Sequence, residues 1–188
     1  MENKMNQPQI TLTNNTSYVA QFLVYKGEQL IDRIPGIEAG GKCLVPTSDT
    51  YQVTATSVLN KNTYISSPMS AKPGDKFKAQ VLQISNQGTY DFDVVRSDGS
   101  KPDSMEFETT TNSPVIFSVL KDNKPLQNVT VSDNYIGESL YVGNTFQIYA
   151  VINGVTTSTI TTNDGSANIS AQNNTSALEA DFFHLALG

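Results

Sequence analysis

Residues 145–153, TFQIYAVIN, nearly repeat residues 50–58, TYQVTATSV, and the likeness extends well beyond them. At a shift of 95 positions Thr50 meets Thr145, Tyr51 meets Phe146, Gln52 meets Gln147, Val53 meets Ile148 and Ala55 meets Ala150. The same shift lays Ile10 on Met105, Leu12 on Phe107, Thr16 on Thr111, Phe22 on Phe117, Val24 on Val119 and Lys26 on Lys121. It continues through Ile31/Leu126, Ile34/Val129, Val45/Leu140 and Ile65/Ile160. Past that point the second half is shorter by five residues, around PMSAKPGDK of the first, and Asp91-Phe92 falls on Asp181-Phe182 at a shift of 90. Two copies are too few for a solenoid, whose units need at least three stacked neighbours. A copy of about 90 residues is instead the size of a small β-sandwich.

Within the first copy, alternation of apolar and polar residues marks strands at 9–14, 19–26, 29–34, 42–46, 50–58, 77–84 and 89–95. In TYDFDVV, residues 89–95, Tyr90, Phe92 and Val94 share one face while Asp91 and Asp93 take the other, as in a half-buried antiparallel sheet. Turn residues separate the runs at Lys26-Gly27, Ala39-Gly40-Gly41, Pro73-Gly74 and Gln87-Gly88. Thr (20), Ser (18) and Asn (17) outnumber the charged residues, a composition suited to strands and turns. The expected fold is all-β: two tandem, homologous antiparallel β-sandwich domains arising by internal duplication. The expected boundaries are a flexible N-terminal tail at 1–8, repeat 1 at 9–98, a linker at 99–104 within the Gly/Pro/Asp-rich SDGSKPDS, and repeat 2 at 105–188. Taken alone, SALEADFFHLALG (176–188) has helical propensity; its counterpart in the first copy is a strand, so a strand is expected there too.

The net charge of −6 is unevenly spread along the sequence. Residues 1–98 carry nine acids and nine bases, whereas residues 99–188 carry nine acids against Lys101, Lys121 and Lys124. Such a chain offers no basic footprint for nucleic acid. One cysteine, Cys43, excludes an intrachain disulfide and a cysteine-based metal cluster. No apolar run approaches the ~18 residues of a membrane-spanning helix, and MENKMNQPQ lacks the apolar core of a signal peptide. The expected location is therefore the cytoplasm as synthesised, or release without a cleaved signal. The sequons at Asn15, Asn128 and Asn173 then read as ordinary turn and strand residues.

Candidate chemistry is sparse. His184, the only histidine, aligns with Val94 on the apolar parity of the last strand, and Cys43 is the only thiol available to it as a nucleophile. A half-buried histidine and a small buried thiol account for both without catalysis. Asp98, Asp103 and Glu106 around the linker could contribute to a Ca²⁺ site, while Asp133 and Glu138 sit at a turn. A solvated acidic linker is the simpler reading. No GxSxG, HExxH, GxGxxG, P-loop or EF-hand pattern occurs, so no catalytic, cofactor-binding or metal residues are assigned and no enzyme is expected. The Ser/Thr-rich stretch 153–177 reads as a polar hairpin about Asn163-Asp164-Gly165. A membrane-inserting hairpin would need alternating apolar residues, but Val155 and Ile160 fall on opposite parity. Tyr18, Tyr64, Tyr135 and Tyr141 are the candidates for stacking on a sugar in a chain with no Trp.

The opening ITLTNNTSYVAQFLVYKG resembles the start of several small bacterial β-sandwich proteins, including aegerolysin-like and insecticidal or inclusion-forming ones. The resemblance implies a bacterial protein accumulated in quantity or aimed at another cell. Aegerolysins carry tryptophans that this chain lacks, so no functional residue is carried over. A low-charge, Thr- and Asn-rich β protein whose halves differ by six charges favours head-to-tail self-assembly through sheet edges. The expected function is a non-enzymatic structural protein of a filament, appendage, inclusion or particle, with itself as partner. The alternative is a lectin-like or toxin-like cell-surface recognition protein that binds glycan or membrane lipid.

Overall fold

Alternation along the chain is translated directly into strands. In a computed structural model, which describes residues 7–84, 86–174 and 182–188, QITLTN forms the strand β1 (Gln9–Asn14) with Ile10, Leu12 and Asn14 buried and their neighbours half-exposed. The same period-2 burial recurs in β2 (Ala20–Lys26), β5 (Tyr51–Leu59), β11 (Val115–Lys121) and β14 (Phe146–Ile152). The remaining strands are β3 (Gln29–Ile37), β4 (Lys42–Pro46), β6 (Asn62–Ile65), β7 (Met69–Ala71), β8 (Asp75–Ile84), β9 (Thr89–Asp98), β10 (Ser104–Thr109), β12 (Lys124–Val131), β13 (Glu138–Tyr141), β15 (Val155–Thr156), β16 (Ile160–Thr162), β17 (Asn168–Asn173) and β18 (Phe183–Leu187). No helix occurs among the described residues. A strand occupies 183–187, as expected, and not a helix; residues 175–181 lie outside the described part, as do 1–6 of the expected tail.

The chain makes two compact units that do not follow its linear order. Unit 1 comprises residues up to Ser48 together with Asn144–Gly188; unit 2 is Asp49–Gly143. The expected linker at 99–104 falls inside unit 2, between β9 and β10. The cause lies in the ladders. β1 pairs in parallel with β17 and antiparallel with β4, and β2 pairs with β14. β10 pairs in parallel with β8 and antiparallel with β13, and β11 pairs with β5. Each unit thus draws strands from both halves of the sequence.

Unit 1 holds a four-stranded sheet, β18-β17-β1-β4, and a five-stranded one, β15-β14-β2-β3 with β16 also on β14. Unit 2 holds β9-β8-β10-β13 and β12-β11-β5-β6 with β7 also on β5. The registers agree residue by residue: Ala150 faces Phe22 where Ala55 faces Phe117, and Leu12 faces Ile169 where Phe107 faces Phe77. In unit 2 Phe107 lies 5.8 Å from Phe77 and 5.0 Å from Phe117, so rings from both sheets meet in one core. Lys26 and Lys121, both buried, each lie over the ring of the first residue of the neighbouring strand: Phe146 at 5.5 Å and Tyr51 at 5.2 Å.

Three expectations change. Strands β6 and β7 were not anticipated, because NTYI and MSA are short and carry little alternation. The registers place a difference of four residues in the hairpin β5–β6, where Asn60 and Lys61 turn at positive φ (49° and 67°), rather than five around PMSAKPGDK. The matching hairpin β14–β15 closes at Asn153-Gly154, so Ser57 faces Tyr64 where Ile152 faces Val155, and Ile160 corresponds to Met69 rather than Ile65. Finally, 153–174 is not one hairpin: β16 and β17 belong to different sheets, and the expected apex at 163–165 carries the chain from one to the other. Asp164 fixes that bend by accepting from the Ser166 N–H at 2.8 Å, and the Thr47 hydroxyl donates to the Gly165 carbonyl at 2.9 Å. Ile169 and Ala171 of β17 are buried, so the second limb is part of the core.

Candidate functional site

Cys43 and His184 occupy the two outer strands, β4 and β18, of one four-stranded sheet, with β1 and β17 between them. Three interstrand steps of roughly 4.8 Å, with a further offset of three residues along the strands, keep their backbones more than about 14 Å apart, too far for direct proton transfer. Burial, and secondarily Asp32, push the Cys43 thiol above its ordinary pKa, which keeps it protonated and a poor nucleophile. His184 faces Gln172. Leu185 faces Ala171 as Val94 faces Ala79, so Leu185, not His184, is the counterpart of Val94.

The carboxylates do not converge on a cation. Glu106 accepts hydrogen bonds from the Ser100 N–H, from the Ser100 hydroxyl at 2.9 Å and from the Lys101 N–H at 3.2 Å. These bonds, led by the Ser100 hydroxyl, hold its pKa below the ordinary value. Glu106 therefore ties down the turn at 99–103. Asp103 presents its backbone carbonyl to the Val142 and Gly143 N–H groups at 2.9 and 3.2 Å, Asp98 sits opposite Asp75 in the β8–β9 ladder, Asp133 accepts from the Tyr135 N–H at 2.8 Å, and Glu138 faces Phe107. Among the described residues no group of three or more His, Cys, Asp or Glu is placed to hold a metal ion.

The tyrosines divide into two kinds. Tyr135 is 88% exposed on the β12–β13 loop, and Tyr141 ends β13. Tyr18 and Tyr64 each stand against a buried phenylalanine, at 5.8 Å from Phe183 and 6.3 Å from Phe92. Both tyrosines are legible in the sequence as aromatic candidates, but their phenylalanine partners come from strands distant in sequence and leave no local signal.

Sheet edges distinguish the outer strands more sharply. β3 carries Asp32, Arg33 and Pro35 and is irregular in its pairing with β2; β12 carries Lys124 and Pro125 and a bulge against β11. β9 carries Asp91, Asp93, Arg96 and Asp98. All three use the devices that discourage pairing with a further strand. By contrast β18, FHLAL, has no Asp, Glu, Lys, Arg or Pro, and β4, KCLVP, has Lys42 and Pro46 at its two ends with no charge between them; the outer strand β6, NTYI, is also uncharged but only four residues long. Leu44 and Leu187 on these two strands are 57% and 53% exposed. No family model matches the chain, and neither a curated protein nor a solved structure shows significant similarity to it.

Proposed function

We propose that this chain is a non-catalytic structural protein that assembles with itself through the outer strands of the sheet β18-β17-β1-β4. The carrying observation is the pair of weakly defended edges, with Leu44 and Leu187 exposed on strands nearly free of charge. An exposed edge offers unpaired N–H and C=O groups to a further strand, and β4 of one copy meeting β18 of the next repeats the same contact without using it up. Such a heterologous contact builds a ring or an open filament. Charge does not drive it. The halves of the sequence differ by six charges, but unit 1 holds four bases against seven acids and unit 2 eight against eleven, which leaves −3 on each.

We also infer that both units are β-sandwiches of one duplicated sequence whose halves have exchanged partners. Support comes from the matched registers, the matched lysine–aromatic pairs and the identical strand order of the sheets.

The test compares the wild-type chain with Leu44→Lys and Leu187→Lys by solution mass across a hundredfold concentration range, with negative-stain images of the most concentrated sample. Species larger than 20.4 kDa should grow with concentration in the wild type and vanish in both variants. A wild-type protein that stays at 20.4 kDa throughout would retire the assembly reading.

A further inference from the structure

Each unit carries an open cleft, and the registers put the two clefts at corresponding places. In unit 2 a cleft of about 310 Å³ lies between the β5–β6 hairpin, the loop after β10, and β8–β9; Tyr64, Tyr90, Asn60, Thr110 and Ser113 contribute to its wall. In unit 1 a cleft of about 490 Å³ lies between the β14–β15 hairpin, the loop after β1, and β17–β18; Tyr18, Phe182, Ser17, Asn153 and Asn173 contribute. Val81 of the first cleft faces Phe92 as Asn173 of the second faces Phe183. We propose that these clefts are a pair of equivalent binding sites for the rings of an uncharged glycan. The inference does not depend on self-assembly.

Three features select that ligand. First, none of the described lining residues is charged, so these walls give a charged ligand no ionic partner. Second, both walls combine aromatic faces with hydroxyl and amide groups, which match the C–H face and hydroxyl edge of a sugar ring. Tyr90 (52%) and Phe182 (68%) keep their rings exposed at the rim. Third, the aromatic ring over each buried phenylalanine comes from a different element in the two units. Tyr18 stands where unit 2 has Ser113, and Tyr64 stands where unit 1 has Val155, yet each cleft has a tyrosine against its phenylalanine. Simple inheritance of one residue does not produce that.

Both clefts are also prepared in advance. The loop after β1 is held by buried Asn14, whose side-chain amide donates to the Tyr18 and Ile37 carbonyls at 2.6 and 2.7 Å, and by Thr16, whose hydroxyl donates to Asn14 Oδ1 at 2.7 Å. In unit 2 the Thr111 N–H donates to the Thr109 hydroxyl oxygen at 3.0 Å, and the Thr111 hydroxyl donates to the Ser113 carbonyl at 2.7 Å. Walls fixed by buried hydrogen bonds spare a ligand the cost of ordering them.

The experiment is saturation-transfer NMR and calorimetry of the full chain with lactose, cellobiose and chitobiose, beside an array of neutral and sialylated glycans and vesicles of phosphatidylcholine. A neutral saccharide should bind at two sites per chain. The double variant Tyr64→Ala/Tyr90→Ala should weaken one site about tenfold or more, and Tyr18→Ala/Phe182→Ala the other, the loss expected when a stacked ring is removed. Tyr64→Phe and Tyr18→Phe keep the stacking face and should keep binding, which separates lost contact from lost fold. Binding to no neutral glycan, to sialylated glycans alone or to vesicles alone overturns the proposal, as does neutral binding that both double variants leave intact.

Discussion

Unit 2 is one continuous stretch, Asp49–Gly143, whereas unit 1 must bring residues before Ser48 together with residues after Asn144. Their sheets have the same strand order, so the difference is one of connectivity and not of architecture. The stretches of like sequence and the folding units of this structure are of about the same size but differ in phase. A copy read along the sequence ends near residue 98; a unit read from its hydrogen bonds is cut at 48/49 and 143/144.

The sharpest way to break the comparison is to cut the chain both ways. Residues 49–143 contain every ladder of unit 2, and that fragment should fold as a monomer with a single cooperative melt. Residues 9–98 contain β1 and β2 without β17 and β14, and β5 and β8 without β11 and β10. Two such fragments can supply each other's missing partners, because β8 and β5 occupy in unit 2 the places of β17 and β14 in unit 1. The short connection at 47–50 favours exchange between chains over closure within one. The 9–98 fragment should therefore run as an intertwined dimer in size-exclusion chromatography with light scattering. A folded monomer of 9–98 would return the folding unit to the sequence repeat.

A smaller effect distinguishes the two cores. Where unit 2 packs Phe77, Phe107 and Phe117, unit 1 has Ile169, Leu12 and Phe22 in the corresponding places. Phe22 and Phe117 are both fully buried opposite an alanine, and replacement of either by Ala should cost about 3–5 kcal/mol. Phe117→Ala should cost the more, by roughly 0.5–1.5 kcal/mol, because it also removes the ring packing on Phe107 at 5.0 Å. Denaturant melts with hydrogen exchange resolved by unit would show which core loosens. Equal losses would mean that aliphatic and aromatic cores are equally well packed here.

Much of this was visible in the residues. Alternation placed β1, β2, β5, β8 and β9 to within a few positions, and Gly and Asn marked the turns, because both signals are local. The pairing of Leu12 with Ile169 was not visible. A repeat states which residues are alike, not whether a strand bonds within its own copy or with the other, and both choices bury the same side chains. The clefts were half legible for the same reason. Tyr18 and Tyr64 could be named as polar-tipped aromatics, but their contacts with Phe183 and Phe92 depend on strand partners that only the sheets reveal. The Asp164-Gly165 turn misled because a tight-turn dipeptide signals a reversal without saying whether the next strand rejoins the same sheet.

The smallest expected effect concerns acid. Glu106 ties down the 99–103 turn of unit 2, and the corresponding position in unit 1 is Thr11, which cannot titrate. Hydrogen bonds to the carboxylate depress the folded-state pKa of Glu106 below its ordinary value of 4.5. A group depressed on folding stabilises the native state above its unfolded pKa, and that contribution fades as the pH falls through the folded pKa. At neutral pH Glu106→Gln should therefore melt slightly below the wild type, and the gap should close as the pH falls below the ordinary carboxylate range. Exposure to solvent keeps the effect small. Resolved by unit, the acid-dependent part should belong to unit 2 alone, since Thr11 offers unit 1 no such charge. A gap that stayed constant from pH 7 down to pH 3 would mean that Glu106 holds its turn by shape and not by charge.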